Sequence, residues 1–151
     1  GGTLAGWKVG VSSPAAREMF KLEGPISAYL LESNHFESGS VFALDKFIRP
    51  IIESELCIVM GKSLRGPGIT RSQALAAIAG AAPSLELVDM RIDIASNLSL
   101  GIADGVAQWG FVTGRVVRPF PPDLVVANIT AESRKNGEIV FQVLGQDVTG
   151  S

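Results

Sequence analysis

The chain has 151 residues, of which 46% are hydrophobic and 19% charged, with a net charge of -2 and a mean hydropathy of +0.30. That balance excludes a disordered chain and fits one domain able to bury a core. There is no basic block, so no electrostatic footprint for nucleic acid or an anionic membrane, and no apolar run long enough for a membrane span.

Taken in order, residues 4–11 read as a strand carrying Lys8 among apolar neighbours. Ser13-Pro14 opens a helix to about Lys21, with Ser13 as N-cap and Pro14 at the first helical position. Residues 22–27 read as a loop, 28–31 as a short strand and 34–40 as a polar turn holding His35, the one histidine. Residues 51–61 read as a strand rich in Ile, Val and Leu, closed by Gly61. Cys57, the one cysteine, lies in this strand and has no internal disulfide partner, which fits a reducing cytoplasm. A loop over 62–69 precedes Thr70-Arg71-Ser72-Gln73, a capping box that opens an alanine-rich helix expected to end near Gly80. Residues 83–89 form a second apolar strand. Residues 90–100 are weakly patterned and read as a mobile segment near the site. Short strands follow at 111–112 and 116–117, broken at Gly114, then a turn at 119–123. Residues 125–133 and 138–144 read as a hairpin about Asn136-Gly137, a type I′ turn signal. Short strands with two helices make a β-rich α+β fold.

The chemistry concentrates in the two long strands. Alternation places Glu53 and Glu55 on one strand face. Like charges in an apolar strand are costly to desolvate, and a hard divalent cation would offset that cost. The alternative is an edge strand with one solvated face. Glu86 sits between leucines in the second strand. Three oxygen ligands from two strands suit Mg²⁺ or Mn²⁺, with positions left for water or substrate. Zinc is disfavoured, because His35 and Cys57 are far apart in the chain.

These stretches carry a resemblance. Gly6-Trp7-Lys8-Val9-Gly10-Val11 resembles the G-x-K-V-G-L/V opening of the 2-keto-4-pentenoate hydratase and 4-oxalocrotonate decarboxylase family, within the fumarylacetoacetate hydrolase superfamily. Arg49-Pro50-Ile51-Ile52-Glu53-Ser54-Glu55 is similar to its Q-P-R-I/V-E-x-E segment, and Leu64-Arg65-Gly66-Pro67-Gly68-Ile69-Thr70 to its L-x-G-P-x-V/C-T loop. Pro83-Ser84-Leu85-Glu86-Leu87-Val88-Asp89-Met90-Arg91 is similar to P-A-L-E-I/L-V/I-D-x-R, and Ile102-Ala103-Asp104 to part of V-A-D-N. The blocks keep the family's order over residues 6–114. Relative to that family, the chain is expected to be one catalytic domain, 1–151, shortened at both ends.

The resemblance implies the mixed β-sandwich or roll of the fumarylacetoacetate hydrolase C-terminal domain. It also implies a metal-dependent lyase of aromatic-compound catabolism, most simply a hydratase. Glu53, Glu55 and Glu86 match the family's metal carboxylates. The metal would chelate the C1 carboxylate and C2 oxygen of a 2-oxo acid and stabilise the enolate. Lys8 matches the motif lysine, as proton carrier or as a grip on the substrate carboxylate; the structural alternative is a snorkelling surface lysine. Asp104 is a catalytic candidate or a turn aspartate before Gly105. Arg91 holds a substrate carboxylate or pairs with Asp89 or Asp93. His35, in a loop with no motif around it, is a poor candidate for activating water.

Four departures stand against the match. Ile26 occupies the place of an aspartate that transfers protons in the family, Ile51 replaces the arginine of Q-P-R, the W-x-I/V-x-L-A/V-D-T segment is poorly kept from Ile94 to Gly101, and Gly105 replaces the asparagine of V-A-D-N. The metal site is therefore better kept than the groups that handle protons. The readings that remain are a hydratase, the sister decarboxylase, an acylpyruvate carbon–carbon hydrolase, and a non-catalytic subunit binding a 2-oxo acid. The expected partners are that small molecule and further copies in a homo-oligomer, or a hydratase–decarboxylase complex.

Overall fold

The computed structural model describes residues 2–121 and 123–149, the side chains of 148 and 149 excepted. Its centre is an antiparallel ladder between β4 (Pro50–Met60) and β5 (Ile78–Asp89). β5 pairs on its other side with β6 (Gln108–Thr113), and β6 pairs in parallel with the short edge strand β3 (His35–Phe36). The sheet order is therefore β3-β6-β5-β4. A separate hairpin joins β1 (Leu4–Gly10) to β2 (Ile26–Leu31), and another joins β7 (Thr130–Lys135) to β8 (Glu138–Leu144). Among the described residues the helices are short: α1 (Pro14–Phe20), α2 (Arg71–Ala76), α3 (Leu98–Ala103) and α4 (Gly145–Thr149). This is the expected β-rich α+β class. None of these helices is long and apolar enough to cross a membrane.

Several local signals act as expected. Ser13 accepts from the Ala16 N–H at 3.1 Å, and α1 stops at Lys21 in the left-handed region. Thr70 and Gln73 form the reciprocal capping box. Asn136 and Gly137 both take positive φ, 54° and 87°, as a type I′ turn needs.

Other expectations are corrected. The helix opened by Thr70 ends at Ala76, and the small residues after it begin β5. Alanine is the best helix former, but propensity is a weak prior that tertiary context overrides, and here three contacts do so. Ala81 and Ala82 pair with Ile58 and Cys57, Ala81 bridges Val117, and Ala77 O accepts from the Gly61 N–H at 2.7 Å. A Cβ on Gly80 would lie 2.5 Å from Val117 O, so this close approach demands glycine. The expected strand at 116–117 is only that single bridge, and the expected strand at 111–112 is the end of β6. The first strand of the last hairpin is shorter than expected, because residues Val126–Asn128 form one turn of 3-10 helix. Of the turn expected at 119–123, residue 122 lies outside the described residues.

The weakly patterned stretch 90–100 contains the start of α3, which Asn97 caps by accepting from the Leu100 N–H at 3.0 Å. Ile94 in this stretch is buried with Val88 and Ala107, and Phe20, Met90, Ile92, Leu98 and Val106 pack around them. That small core holds α1 and α3 against the end of β5.

A carboxylate cluster with one lysine

The two faces of the central sheet differ. Glu53 is the register partner of Glu86, and Glu86 of Phe111. Register partners share a face, so Glu53, Glu55, Glu86, Ser84, Phe111 and Thr113 look one way. The other face carries Ile52, Leu85, Leu87, Phe36 and Val112, which line an apolar groove of about 600 Å³ with Phe42 and Phe47. The aromatic rings of Phe36, Phe42, Phe47 and Trp109 pack on one another there.

On the polar face, one carboxylate oxygen from each of Glu53, Glu55 and Glu86 lies within 4.8 Å of the others. Glu86 is buried, while Glu53 and Glu55 are exposed as residues. Crowding has an electrostatic cost. Partial burial, then the charges of Glu53 and Glu86, push the Glu55 carboxyl up to about 7, against a smaller opposing effect from Lys8. Burial also raises Glu86, with Lys8 lowering it and Glu53 raising it.

Lys8 reaches this cluster from β1. Its Nζ donates to Glu86 Oε1, and both side chains are nearly buried, at 10% and 6% exposure. Strand alternation turns Gly6, Lys8 and Gly10 inward and leaves Trp7 and Val9 exposed at 66% and 58%. Lys8 is thus not a snorkelling surface lysine. Lys8 pairs with Ala28, so Ile26, two residues from Ala28, lies on the same face of the β1–β2 hairpin as Lys8.

The other expected residues form a second group. Arg91 grips Asp104 with a fork, Nε to Oδ1 at 3.3 Å and Nη2 to Oδ2 at 2.8 Å, and Nη2 also donates to Gln108 O at 3.0 Å. Arg91 pairs with neither Asp89 nor Asp93. Asp89 instead accepts from the Ile48 and Arg49 N–H groups at 3.0 and 2.7 Å and anchors the entry to β4. The loop that delivers Asp104 is unusual, with Gly105, Val106 and Ala107 all at positive φ. A valine there is strained, and such strain often marks a site where geometry matters.

Gln108 was not singled out by sequence. Its Nε2 is the one buried side-chain nitrogen or oxygen without a hydrogen-bond partner among the described residues. It follows Asp104 in an otherwise plain apolar stretch, and no spacing rule flags it. His35 lies in β3 and not in a turn, stacked on Phe111. Burial raises the Cys57 thiol, which keeps it protonated.

No family model matches the chain. It is 33% identical over 153 residues to a 2-hydroxyhexa-2,4-dienoate hydratase of Comamonas testosteroni, covering 99% of this chain and 58% of that protein. It is 33% identical over 154 residues to a 2-hydroxypent-2,4-dienoate hydratase of Pseudomonas putida, covering all of this chain and 68% of that protein. Among solved structures it is similar to a 4-oxalocrotonate decarboxylase from Pseudomonas putida G7 complexed with magnesium and adipate. The TM-score is 0.86 at 29% identity, over 99% of this chain and 57% of that one. The chain therefore spans a little over half the length of most of the proteins it resembles.

Proposed function

The chain belongs to the family of 2-hydroxydienoate hydratases and 4-oxalocrotonate decarboxylases, and from that premise we propose that it is a divalent-metal-dependent lyase for a 2-oxo or 2-hydroxydienoate acid, acting as a hydratase. The observation that carries this reading is the convergence of Glu53, Glu55 and Glu86 within 4.8 Å on the sheet face that Lys8 also reaches.

The residues fit a hard cation. The donors are oxygens, they come from two paired strands, and burial, with the neighbouring carboxylate charges added to it, lifts Glu55 to about 7, a cost that a cation relieves. We assign Glu53, Glu55 and Glu86 as the ligands of Mg²⁺, with Mn²⁺ as a substitute. Such a cation supplies Lewis-acid polarisation of the oxygens at the carboxyl end of the substrate. The buried Lys8 ammonium stands against the same carboxylates and works on the substrate in one of two ways. It carries a proton to or from the carbon chain, or it holds the carboxylate. Asp104 is engaged by Arg91, so Lys8 is the better placed of the two proton-transfer candidates. Asp104 then serves to orient Arg91 towards a substrate carboxylate. Ile26 presents a hydrocarbon on the Lys8 side of the hairpin and transfers no proton.

We also infer the fumarylacetoacetate hydrolase type of roll for this single domain, a cytoplasmic setting, and assembly with further copies of the chain. The exposed apolar groups Ile52, Val140 and Phe141, at 59%, 61% and 53%, favour assembly. A strictly monomeric protein in light scattering at micromolar concentration contradicts it.

The deciding assay incubates the protein with Mg²⁺ and a 2-hydroxy-2,4-dienoate and identifies the product. A hydrated product supports the hydratase. Loss of CO₂ from a dicarboxylic analogue supports the sister decarboxylase, and cleavage of an acylpyruvate the carbon–carbon hydrolase. Mg²⁺ binding with no turnover of any of these overturns the enzyme reading in favour of a non-catalytic subunit.

A further inference from the structure

The register of the central sheet aligns one row of residues across all four strands. Glu53 pairs with Glu86, Glu86 with Phe111, and Phe111 with His35. The row starts at the carboxylates on β4 and ends at an imidazole on the β3 edge. A second row, Glu55, Ser84 and Thr113, runs beside it. The far ends of the rows are tied together, with His35 Nε2 at 2.8 Å from Thr113 Oγ1.

The imidazole is held in place. It stacks flat on the Phe111 ring, with centroids 4.6 Å apart and planes inclined by 2°. That separation is close to the spacing between strands, about 4.8 Å, as befits register partners on adjacent strands. Asn34 Nδ2 donates to Trp109 O at 3.0 Å and pins the start of β3 against β6.

The chemistry of the pair follows from its hydrogen-bond inventory. A neutral imidazole has one donor and one acceptor, and a hydroxyl has one donor with two acceptor sites. Whichever tautomer is present, the bond between His35 and Thr113 uses one donor and leaves one. That donor is His35 Nδ1–H in one case and the Thr113 hydroxyl in the other. Between this donor and the carboxylate cluster lies the apolar Phe111 ring.

We infer that His35 and Thr113 form a distal subsite that receives the second carboxylate of a dicarboxylic 2-oxo acid, whose 2-oxo carboxylate end sits at Glu53, Glu55 and Glu86. This rests on the function proposed above. The reach is consistent. Two strand spacings put the Glu86 and His35 backbones about 10 Å apart. A six-carbon chain with bonds of about 1.5 Å, extended by a metal–oxygen distance of about 2.1 Å, covers that span. Phe111 flanks the hydrocarbon between the two ends.

Titration calorimetry of the Mg²⁺-loaded chain tests this with two probes of equal carbon count, 2-oxoadipate and 2-oxohexanoate. The wild type is expected to bind 2-oxoadipate about tenfold or more tightly, the effect of one hydrogen bond to a charged group. His35→Ala and Thr113→Val should each remove that preference and leave the Kd for 2-oxohexanoate unchanged. Mg²⁺ titration of the same variants checks that the carboxylate cluster is intact. Equal wild-type affinity for the two acids overturns the subsite while the metal-site reading stands. Losses shared by both acids in the variants do the same. If neither acid binds the Mg²⁺-loaded wild type, the proposed function falls and the subsite with it.

Discussion

Glu53 lies directly opposite Glu86 in the β4–β5 ladder. Like charges at register positions destabilise a sheet, and Glu55 adds a third carboxylate beside them. Lys8 pairs with Glu86 and offsets the crowding at Glu55 only in part. Replacing Glu53 with glutamine should therefore stabilise the metal-free chain by on the order of 0.5 kcal/mol, read as a higher midpoint in denaturant. The same variant, and Glu86→Ala, should lose Mg²⁺ binding in calorimetry. Undiminished Mg²⁺ binding by Glu86→Ala is incompatible with a three-carboxylate site.

The raised Glu55 carboxyl gives a pH signature. Its folded value, about 7, exceeds its ordinary value of 4.5. The folded chain thus holds more protons than the unfolded chain between those limits, and metal-free stability should fall as pH rises through that window. Mg²⁺ has the opposite dependence, because it binds the ionised carboxylate and displaces the proton. Calorimetry in buffers of different ionisation enthalpy should detect proton release near pH 6.5, and the thermal shift caused by Mg²⁺ should be larger at pH 8 than at pH 5.5. A Glu55→Gln variant with the same pH dependence of metal-free stability would show that another group is responsible.

Lys8→Ala separates the two roles left to the lysine. A proton carrier predicts unchanged Mg²⁺ binding with kcat lowered by roughly 10² to 10⁴, the usual contribution of a positioned acid or base. A carboxylate grip predicts a raised KM with little change in kcat. We expect the first pattern, because Lys8 is buried against the cluster and Arg91 is available for the second role.

Ile26→Asp restores a carboxylate on the face of the β1–β2 hairpin that carries Lys8. Hydratase turnover should rise if proton transfer limits the reaction, with Mg²⁺ affinity unchanged. A rate no different from the wild type would mean that Ile26 does not limit the chemistry.

Arg91 and Asp104 should behave as a unit. Arg91→Ala and Asp104→Asn are expected to raise KM to a similar extent, and the double variant should be little worse than either alone. Additive losses in that cycle would assign Asp104 a task of its own.

Much of this is legible in the chain itself. Alternation alone put Glu53 and Glu55 on one face, the capping box set the start of α2, and Asn136-Gly137 set the last turn. These signals are local, carried by neighbouring residues. What escaped reading is non-local. Nothing within 77–82 reveals that Ala81 and Ala82 pair with Ile58 and Cys57 and that Ala81 bridges Val117. The aspartates near Arg91 in sequence, Asp89 and Asp93, are not its side-chain partners, and Asp104, which is, arrives through a left-handed loop that no pattern announces. His35 looked like a turn residue, because its meaning depends on Phe111 and Thr113, which are brought alongside only by the sheet.

The β4–β5 ladder also sets which length changes the chain can tolerate. The stretch 61–70 between Met60 and α2 is exposed and makes few ties to the sheet, so residues added there would lengthen a loop and leave the site alone. The irregularity between Val59 and Met60 already lies on the far side of the glutamates and leaves their parity intact. One residue inserted between Glu53 and Glu55 is different. It would turn one of those carboxylates onto the aromatic side of the sheet. A single added codon there would undo the centre as surely as deleting a glutamate, with every side chain still present.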